Sequence, residues 1–348
     1  MARLVPSLPL ALLGSGAHMQ PMQQQQQQQQ FVQSNVYMTS INTALQQQAY
    51  TQTTIKLYRN AVHAFLQWTT VHHIHIHNIS QLDRALNNYI VHLYQSGVGK
   101  ATADKTVYGI IMYIPEANKQ LYNTIKSLHG WPRIRRPVSY PPLSWDMCVL
   151  IACQLARAGY WTHAVGCLLS FDCYLRIGEL CGIQHADIAD VGDARVASTT
   201  QYMCIRLAHT KTGPNKWVTV RNTTVTAFVR SLLASSRRGN HPLFRFSPSQ
   251  FRDIFKAACV ALGVDGVGYV PHSLRHGGAT HDHIHDMPLE DIMLRGRWAS
   301  SKYARMYIQT GRALLLTQSI PSSTLRTASI LSRSVNTSML LAQAEAQP

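Results

Sequence analysis

Apolar residues recur at helical spacing through most of the chain. Ile55, Tyr58, Val62, Phe65 and Leu66 form one stripe, with Lys56, Arg59 and Asn60 off it, which predicts an amphipathic helix over 53–69. Leu82, Leu86, Tyr89, Ile90 and Leu93 predict a second helix, which opens near Ser80, has Asp83 as a weak capping signal, and ends at Gly97. Val107, Ile110, Ile111 and Ile114 mark a third over 101–114, stopped by Pro115, and a fourth covers 117–128. Together these predict a small all-helical domain at 37–130. Residues 131–143 then carry four prolines and three arginines, a composition that predicts a stiff, extended connector.

The pattern changes after the connector. Residues 144–158 and 161–172 are apolar enough to be buried helices. Residues 202–208 and 217–221 read as strands joined by HTKTGPNK, so they predict a β-hairpin. Helices follow from the Pro271 region, from Pro288 to Gly296, and over about 301–316. This second domain spans 144–318. The tail, 319–348, is rich in Ser, Thr, Ala and Gln and is expected to be loosely ordered. Residues 1–36 include eight consecutive Gln and are expected to be disordered. Their apolar start, LVPSLPLALL, loosely resembles a signal peptide, but two prolines and the glutamine tract weaken that.

Composition narrows the function. The chain has 348 residues, with 32 Lys plus Arg against 16 Asp plus Glu, a net charge of +16 and a pI near 9.8. Only 14% of residues are charged, so the excess comes from missing acids rather than from lysine runs. Of that charge, +14 lies within 37–319. A positive field in the folded part points to a polyanion, nucleic acid or an anionic surface. No run of 18 apolar residues suggests a membrane span. Seven cysteines, mostly in apolar runs and without a C-x-x-C pair, suggest buried, reduced thiols in an intracellular protein.

Several residues stand out chemically. Arg176 lies in an almost wholly apolar surrounding with Glu179 three residues on, where helical residues share a face. A buried Arg must be paired or bound to an anion. The plain reading is an Arg176–Glu179 ion pair; the functional one is a guanidinium aimed at a phosphate. Lys211 sits on the hairpin, with Lys216 as its rival. His272 and Arg275 are three apart near a helix start, followed by His276. Trp298 stands nine residues before Tyr307, and Tyr303 is one turn nearer. Four His at 71–77 and the trio His281, His283 and His285 lack the Cys, Asp or Glu neighbours that would complete a metal site, so no metal is expected.

The order of these signals resembles the tyrosine recombinase, or phage integrase, family. LRIGEL at 175–180, TKTG at 210–213, HSLRHGGAT at 272–280 and RGRWASSKYARMYI at 295–308 carry the resemblance. The last two blocks are similar to recombinases of eukaryotic mobile elements of the DIRS or crypton type. The resemblance implies a mainly α fold with a small β-hairpin or sheet. An all-helical N-terminal DNA-clamp domain would precede a mixed α/β catalytic domain. It implies that Arg176, His272 and Arg275 bind the phosphate, that Lys211 is the general acid, that Trp298 supports the site, and that Tyr307 is the nucleophile. The spacing from Trp298 favours Tyr307 over Tyr303. Glu179 and His276 would support the set.

The implied activity is site-specific cutting and rejoining of DNA through a 3′-phosphotyrosyl link. Bond energy is conserved, so neither cofactor nor metal is implied. Double-stranded DNA is the implied partner, with a homodimer on each site, a homotetramer in synapsis, no membrane, and a nuclear setting if the source is eukaryotic. Candidate backbone contacts are Lys56, Arg59, Lys100, Lys105, Arg133, Arg135 and Arg136 in the first half, with Arg245 and Arg252 in the second. Two alternatives remain: a type IB topoisomerase sharing the phosphotyrosine chemistry, and a catalytically silent DNA-binding protein derived from a mobile element.

Overall fold

A computed structural model describes residues 49–135, 139–191, 193, 195, 201–210, 213–236 and 238–346. The expectation of disorder for 1–36, and the candidates Arg136 and Lys211, lie outside these residues. The chain divides into two units, Met1–Val138 and Ser139–Pro348.

The first unit holds α1 (Gln52–Val71), α2 (Ile79–Gln95), α3 (Lys100–Tyr113) and α4 (Tyr122–Ile134). Asn78 caps α2, its Oδ1 accepting from Gln81 N at 2.9 Å, so the helix opens at Ile79, one residue before Ser80. The core joins Val62, Phe65, Leu82, Leu86, Ile90, Val107, Ile110, Leu128 and Trp131. A buried polar anchor ties α2 to α4: Asp83 accepts from Asn123 N at 3.0 Å and Thr124 N at 2.9 Å. Burial pushes its carboxyl pKa up, but the Thr124 and Asn123 hydrogen bonds win and hold it below its ordinary value.

The fourth helix starts later than 117 and runs through Pro132 to Ile134, into the segment expected to be extended. Proline forfeits one helical hydrogen bond there. Trp131 compensates, because it is buried and packs edge-on against Tyr94 at 5.2 Å. Arg135 caps α2 instead of standing free: its guanidinium donates to Tyr94 O at 3.2 Å and Val98 O at 3.3 Å.

In the second unit, α5 (Trp145–Arg157) and α6 (Trp161–Asp172) are buried on nearly every side and form its centre. A single turn, α7 (Ile177–Cys181), leads toward the sheet. Strands β1 (Ile188–Ala189), β2 (Met203–Thr210) and β3 (Gly213–Val220) pair antiparallel in that order. The ladder reaches Thr210 opposite Gly213, so both strands extend beyond the expected ones, and β1 is an addition. Then come α8 (Thr223–Ser235), α9 (Pro248–Ala261), α10 (Pro271–Ile284) and α11 (Leu289–Gly296).

The helix expected over 301–316 is two, α12 (Ser301–Tyr307) and α13 (Thr310–Leu316). Thr280 of α10 causes the break: its hydroxyl donates to Tyr307 O at 3.2 Å and accepts from Gln309 N at 3.1 Å, replacing lost helical bonds. The tail is also more ordered than expected. α14 (Ser322–Arg333) and α15 (Val335–Ala344) pack on α5 and bury Ala328, Val335, Met339 and Ala342 in the main core. These apolar positions keep helical spacing, and the small alanines allow close approach despite the Ser and Thr around them.

Helix α10 is pressed into this core at two glycines. A Cβ on Gly277 would collide with the Leu143 carbonyl, and one on Gly278 with the Phe171 carbonyl and, at 2.7 Å, the Tyr174 ring. Gly278→Ala is therefore expected to lower stability by about 1–3 kcal/mol in urea melts. Gly130→Ala meets open space on α4 and is expected to leave stability unchanged or raise it by roughly 1 kcal/mol.

Candidate active site

The site begins where α6 ends. After Cys173 the chain turns through Tyr174, which holds a left-handed backbone (φ 48°), and Arg176 then caps α7. This turn aims the Tyr174 carbonyl inward. It also brings Glu179 back over the start of its own helix, where its Oε2 accepts from Arg176 N at 2.9 Å. The other oxygen, Oε1, accepts from Arg176 Nη1 at 2.6 Å.

Glu179 is 3% exposed and serves more than one cation. Arg297 Nη2 donates to its Oε2 at 2.8 Å, and Arg275 Nη1 lies 4.0 Å from the same oxygen. Burial works to raise the Glu179 pKa, but Arg297, Arg176 and Arg275 overcome it and hold the carboxyl below its usual value. The carboxylate therefore stays ionised at neutral pH.

Arg275, on α10, is fully buried. Its Nη1 donates to Tyr174 O, and its Nη2 to Gly296 O at 2.6 Å. Its guanidinium carbon lies 4.8 Å from the Trp298 ring centre and 5.2 Å from that of Tyr307. Burial and the neighbouring Arg297 and Arg176 charges pull its pKa down to about 9, still protonated at neutral pH.

Tyr307 ends α12, inside a ring of aromatic and imidazole groups. Trp298 stacks on it at 4.7 Å, His276 at 4.6 Å, and His272 meets it edge-on at 5.5 Å. His272 also faces Tyr140 at 5.5 Å. Burial, with His276 and Arg275 nearby, pulls the His272 pKa down to about 4. Burial does the same to His276, also to about 4. Both imidazoles are thus neutral at pH 7, each with one donor and one acceptor nitrogen. The Trp298 indole N–H is buried and has no hydrogen-bond partner among the described residues.

The structure thus gathers Arg176, Glu179, His272, Arg275, His276, Trp298 and Tyr307 into one cluster of direct contacts. Tyr303 is not part of it. It is 56% exposed, on the surface rather than among these rings. Lys216 is exposed on β3 opposite Leu207. Lys56, Arg59, Arg133, Arg245 and Arg252 are exposed, and Lys105 is half-buried. Lys100 is paired with Asp104 at 2.5 Å. The two His-rich stretches gather no metal set: among the described residues no three His, Cys, Asp or Glu side chains stand close enough to hold an ion.

Arg297, Arg295, Asp172, Asp282 and Tyr174 were not legible as contributors beforehand. Arg297, its side chain 4% exposed and its backbone left-handed (φ 56°), also donates to Tyr174 O at 3.0 Å and Cys173 O at 3.2 Å. Arg295 pairs with Asp172 at 2.9 Å and Asp282 at 3.4 Å. Asp282 accepts from the Tyr174 hydroxyl, whose ring stacks on Trp298 at 6.0 Å. The available signal was RGRW itself, two arginines around a glycine in an acid-poor chain.

Residues 149–312 match the phage integrase family. A crystal structure of a lambda integrase dimer bound to a COC′ core site is 16% identical, covers 86% of this chain and 83% of its own, and superposes with a TM-score of 0.51. At that identity the likeness speaks to the fold. XerA recombinase is 17% identical over 87% of this chain and 98% of its own, with a TM-score of 0.37. The Tn1549 transposon integrase in complex with circular intermediate DNA is 13% identical over 67% and 84%, with a TM-score of 0.47. No curated protein matches the sequence.

The neutral imidazoles have a consequence for stability. Below about pH 6.5 an unfolded His binds a proton, whereas native His272 and His276 do so only near pH 4. The unfolded state then binds more protons, so stability falls as pH drops from 6.5 toward 4. Thermal melts across that window are expected to show a falling Tm, with a shallower slope in His276→Asn. A flat or rising Tm, or an unchanged slope in the variant, would contradict the assignment.

Proposed function

We propose that this chain, whose residues 149–312 match the phage integrase family, is a tyrosine recombinase in which Tyr307 is the nucleophile that cuts and rejoins DNA at specific sites. The observation that carries this assignment is the contact of the Tyr307 ring with those of Trp298 and His276, at 4.7 and 4.6 Å, with the Arg275 guanidinium 5.2 Å away. The Tyr307 oxygen attacks a phosphodiester phosphorus. One P–O bond forms, the bond to the 5′ oxygen breaks, and a 3′-phosphotyrosyl link results. The phenol proton leaves as the bond forms, and neutral His272 has a nitrogen free to accept it.

Charge collects on the non-bridging oxygens. Arg176 and Arg275 meet it with directed, charge-assisted donors, and the unpartnered Trp298 indole N–H is one more. Loss of one such donor typically costs about 3–4 kcal/mol of transition-state stabilisation. Lys211 supplies the proton for the leaving 5′ oxygen. A 5′-hydroxyl from another strand then attacks the phosphotyrosine and reverses each step. Double-stranded DNA is the substrate, and a dimer on each site and a tetramer in synapsis complete the exchange. The exposed bases Lys56, Arg59, Arg245 and Arg252 meet its phosphates. The wording of HSLRHGGAT and RGRWASSKYARMYI supports a eukaryotic mobile element, whose DNA lies in the nucleus.

Covalent trapping tests this. Wild type and Tyr307→Phe are expressed in cells carrying the flanking DNA, lysed in strong denaturant, and the DNA attached to protein is counted. Adducts in wild type and background levels in the variant are expected, and their ends identify the site. Adducts in both would move the nucleophile elsewhere, Tyr303 first. Adducts in neither, with salt-sensitive binding intact, would leave a silent DNA-binding protein. Relaxation of unrelated supercoiled plasmids by the monomer would instead indicate a topoisomerase.

A further inference from the structure

The contacts around Glu179 raise a question of charge. A phosphodiester carries one negative charge, and attack by a tyrosinate makes a pentacoordinate phosphorus species carrying two. Arg176 and Arg275 supply two positive charges, but the Glu179 carboxylate between them cancels one. With His272 and His276 neutral before attack, those residues alone leave the pocket one charge short of the dianionic species until the tyrosine proton reaches His272.

Arg297 restores the balance. Its guanidinium lies against Glu179 Oε2 at 2.8 Å, on the oxygen 4.0 Å from Arg275 and opposite the one that Arg176 holds. Three guanidinium cations against one carboxylate leave two positive charges among the described residues. Its remaining contacts are neutral carbonyls, those of Cys173, Tyr174 and Arg295, which satisfy donors without cancelling charge. Arg295 is spent elsewhere, on Asp172 and Asp282, and does not enter this count.

We propose that Arg297 is a positioning residue of the strand-transfer reaction: it takes up the charge of Glu179, so that Arg176 and Arg275 present their full positive charge to the phosphate. This rests on the recombinase assignment. The Nη donors of Arg297 are all taken, by Glu179 and by the Cys173, Tyr174 and Arg295 carbonyls, so it acts through Glu179. The left-handed backbone at φ 56° is what turns it inward, immediately before Trp298.

The test uses two duplexes bearing the junction recovered by covalent trapping. One has an ordinary scissile phosphodiester. In the other a methyl group replaces one non-bridging oxygen, which removes one negative charge. Single-turnover cleavage by full-length protein is read on both, alongside DNA binding. Arg297→Gln is expected to lose on the order of 10- to 100-fold on the phosphodiester, less than a direct donor would cost. On the methylphosphonate its deficit relative to wild type is expected to narrow by about tenfold.

A merely structural role would slow both duplexes equally, and that result overturns the proposal, as does a variant that cleaves like wild type. Arg297→Lys provides a second arm should the Gln variant fail to fold. It keeps the charge but offers one ammonium in place of a fork, so any deficit should be the same on both duplexes. A Lys deficit that narrows on the methylphosphonate would also overturn the proposal. A wild type that cleaves neither duplex, while Arg297→Gln stays folded and binds DNA, refutes the recombinase assignment and this inference with it.

Discussion

One buried carboxylate organises the catalytic unit. Glu179 sits at 3% exposure among Arg176, Arg275 and Arg297, and Glu179, Arg275 and Arg297 are too deeply buried to stand unpaired. An unpaired charge at such depth costs several kcal/mol, and like charges this close repel. The carboxylate makes the cation cluster possible, and the cluster keeps the carboxylate ionised. The net positive charge left over is what a developing phosphorane needs.

The surrounding fold holds this cluster with neutral groups. The carbonyls of Tyr174 and Gly296 take the Arg275 donors, and those of Cys173 and Tyr174 take Arg297. A carbonyl satisfies a guanidinium without erasing its charge, whereas a carboxylate would do both. That choice demands unusual backbone. Tyr174 and Arg297 both adopt left-handed conformations, at φ 48° and 56°, where a non-glycine residue is disfavoured. The strain is offset by buttresses: the Tyr174 ring under Trp298, its hydroxyl on Asp282, and Arg295 across Asp172. Gly296 completes the fit, since a Cβ there would land in the Trp298 ring.

Much of this was legible in the sequence, and the failures have physical causes. The helical stripes located α1–α3, α5 and α6, because buried apolar faces repeat at 3.6 residues whatever the tertiary context. Arg176, His272, Arg275, Trp298 and Tyr307 could be named because LRIGEL, HSLRHGGAT and RGRWASSKYARMYI resemble, in order, the motifs of the recombinase family. The break after Tyr307 was invisible, for it depends on the Thr280 hydroxyl, 27 residues away. The packed tail was masked by its Ser and Thr content. Arg297 was passed over because local pattern predicts neither left-handed backbone at an arginine nor a shared carboxylate 118 residues upstream.

The most direct test of the charge balance is a double-mutant cycle on single-turnover DNA cleavage, joining Glu179→Gln with Arg297→Gln. Removing the arginine alone leaves one net positive charge, whereas removing both partners restores two. If Glu179 and Arg297 act as a unit, the double variant cleaves faster than Arg297→Gln, reversing part of the loss. Independent losses that simply multiply, leaving the double variant slowest of all, would contradict the view that Arg176 and Arg275 depend on this one shared carboxylate.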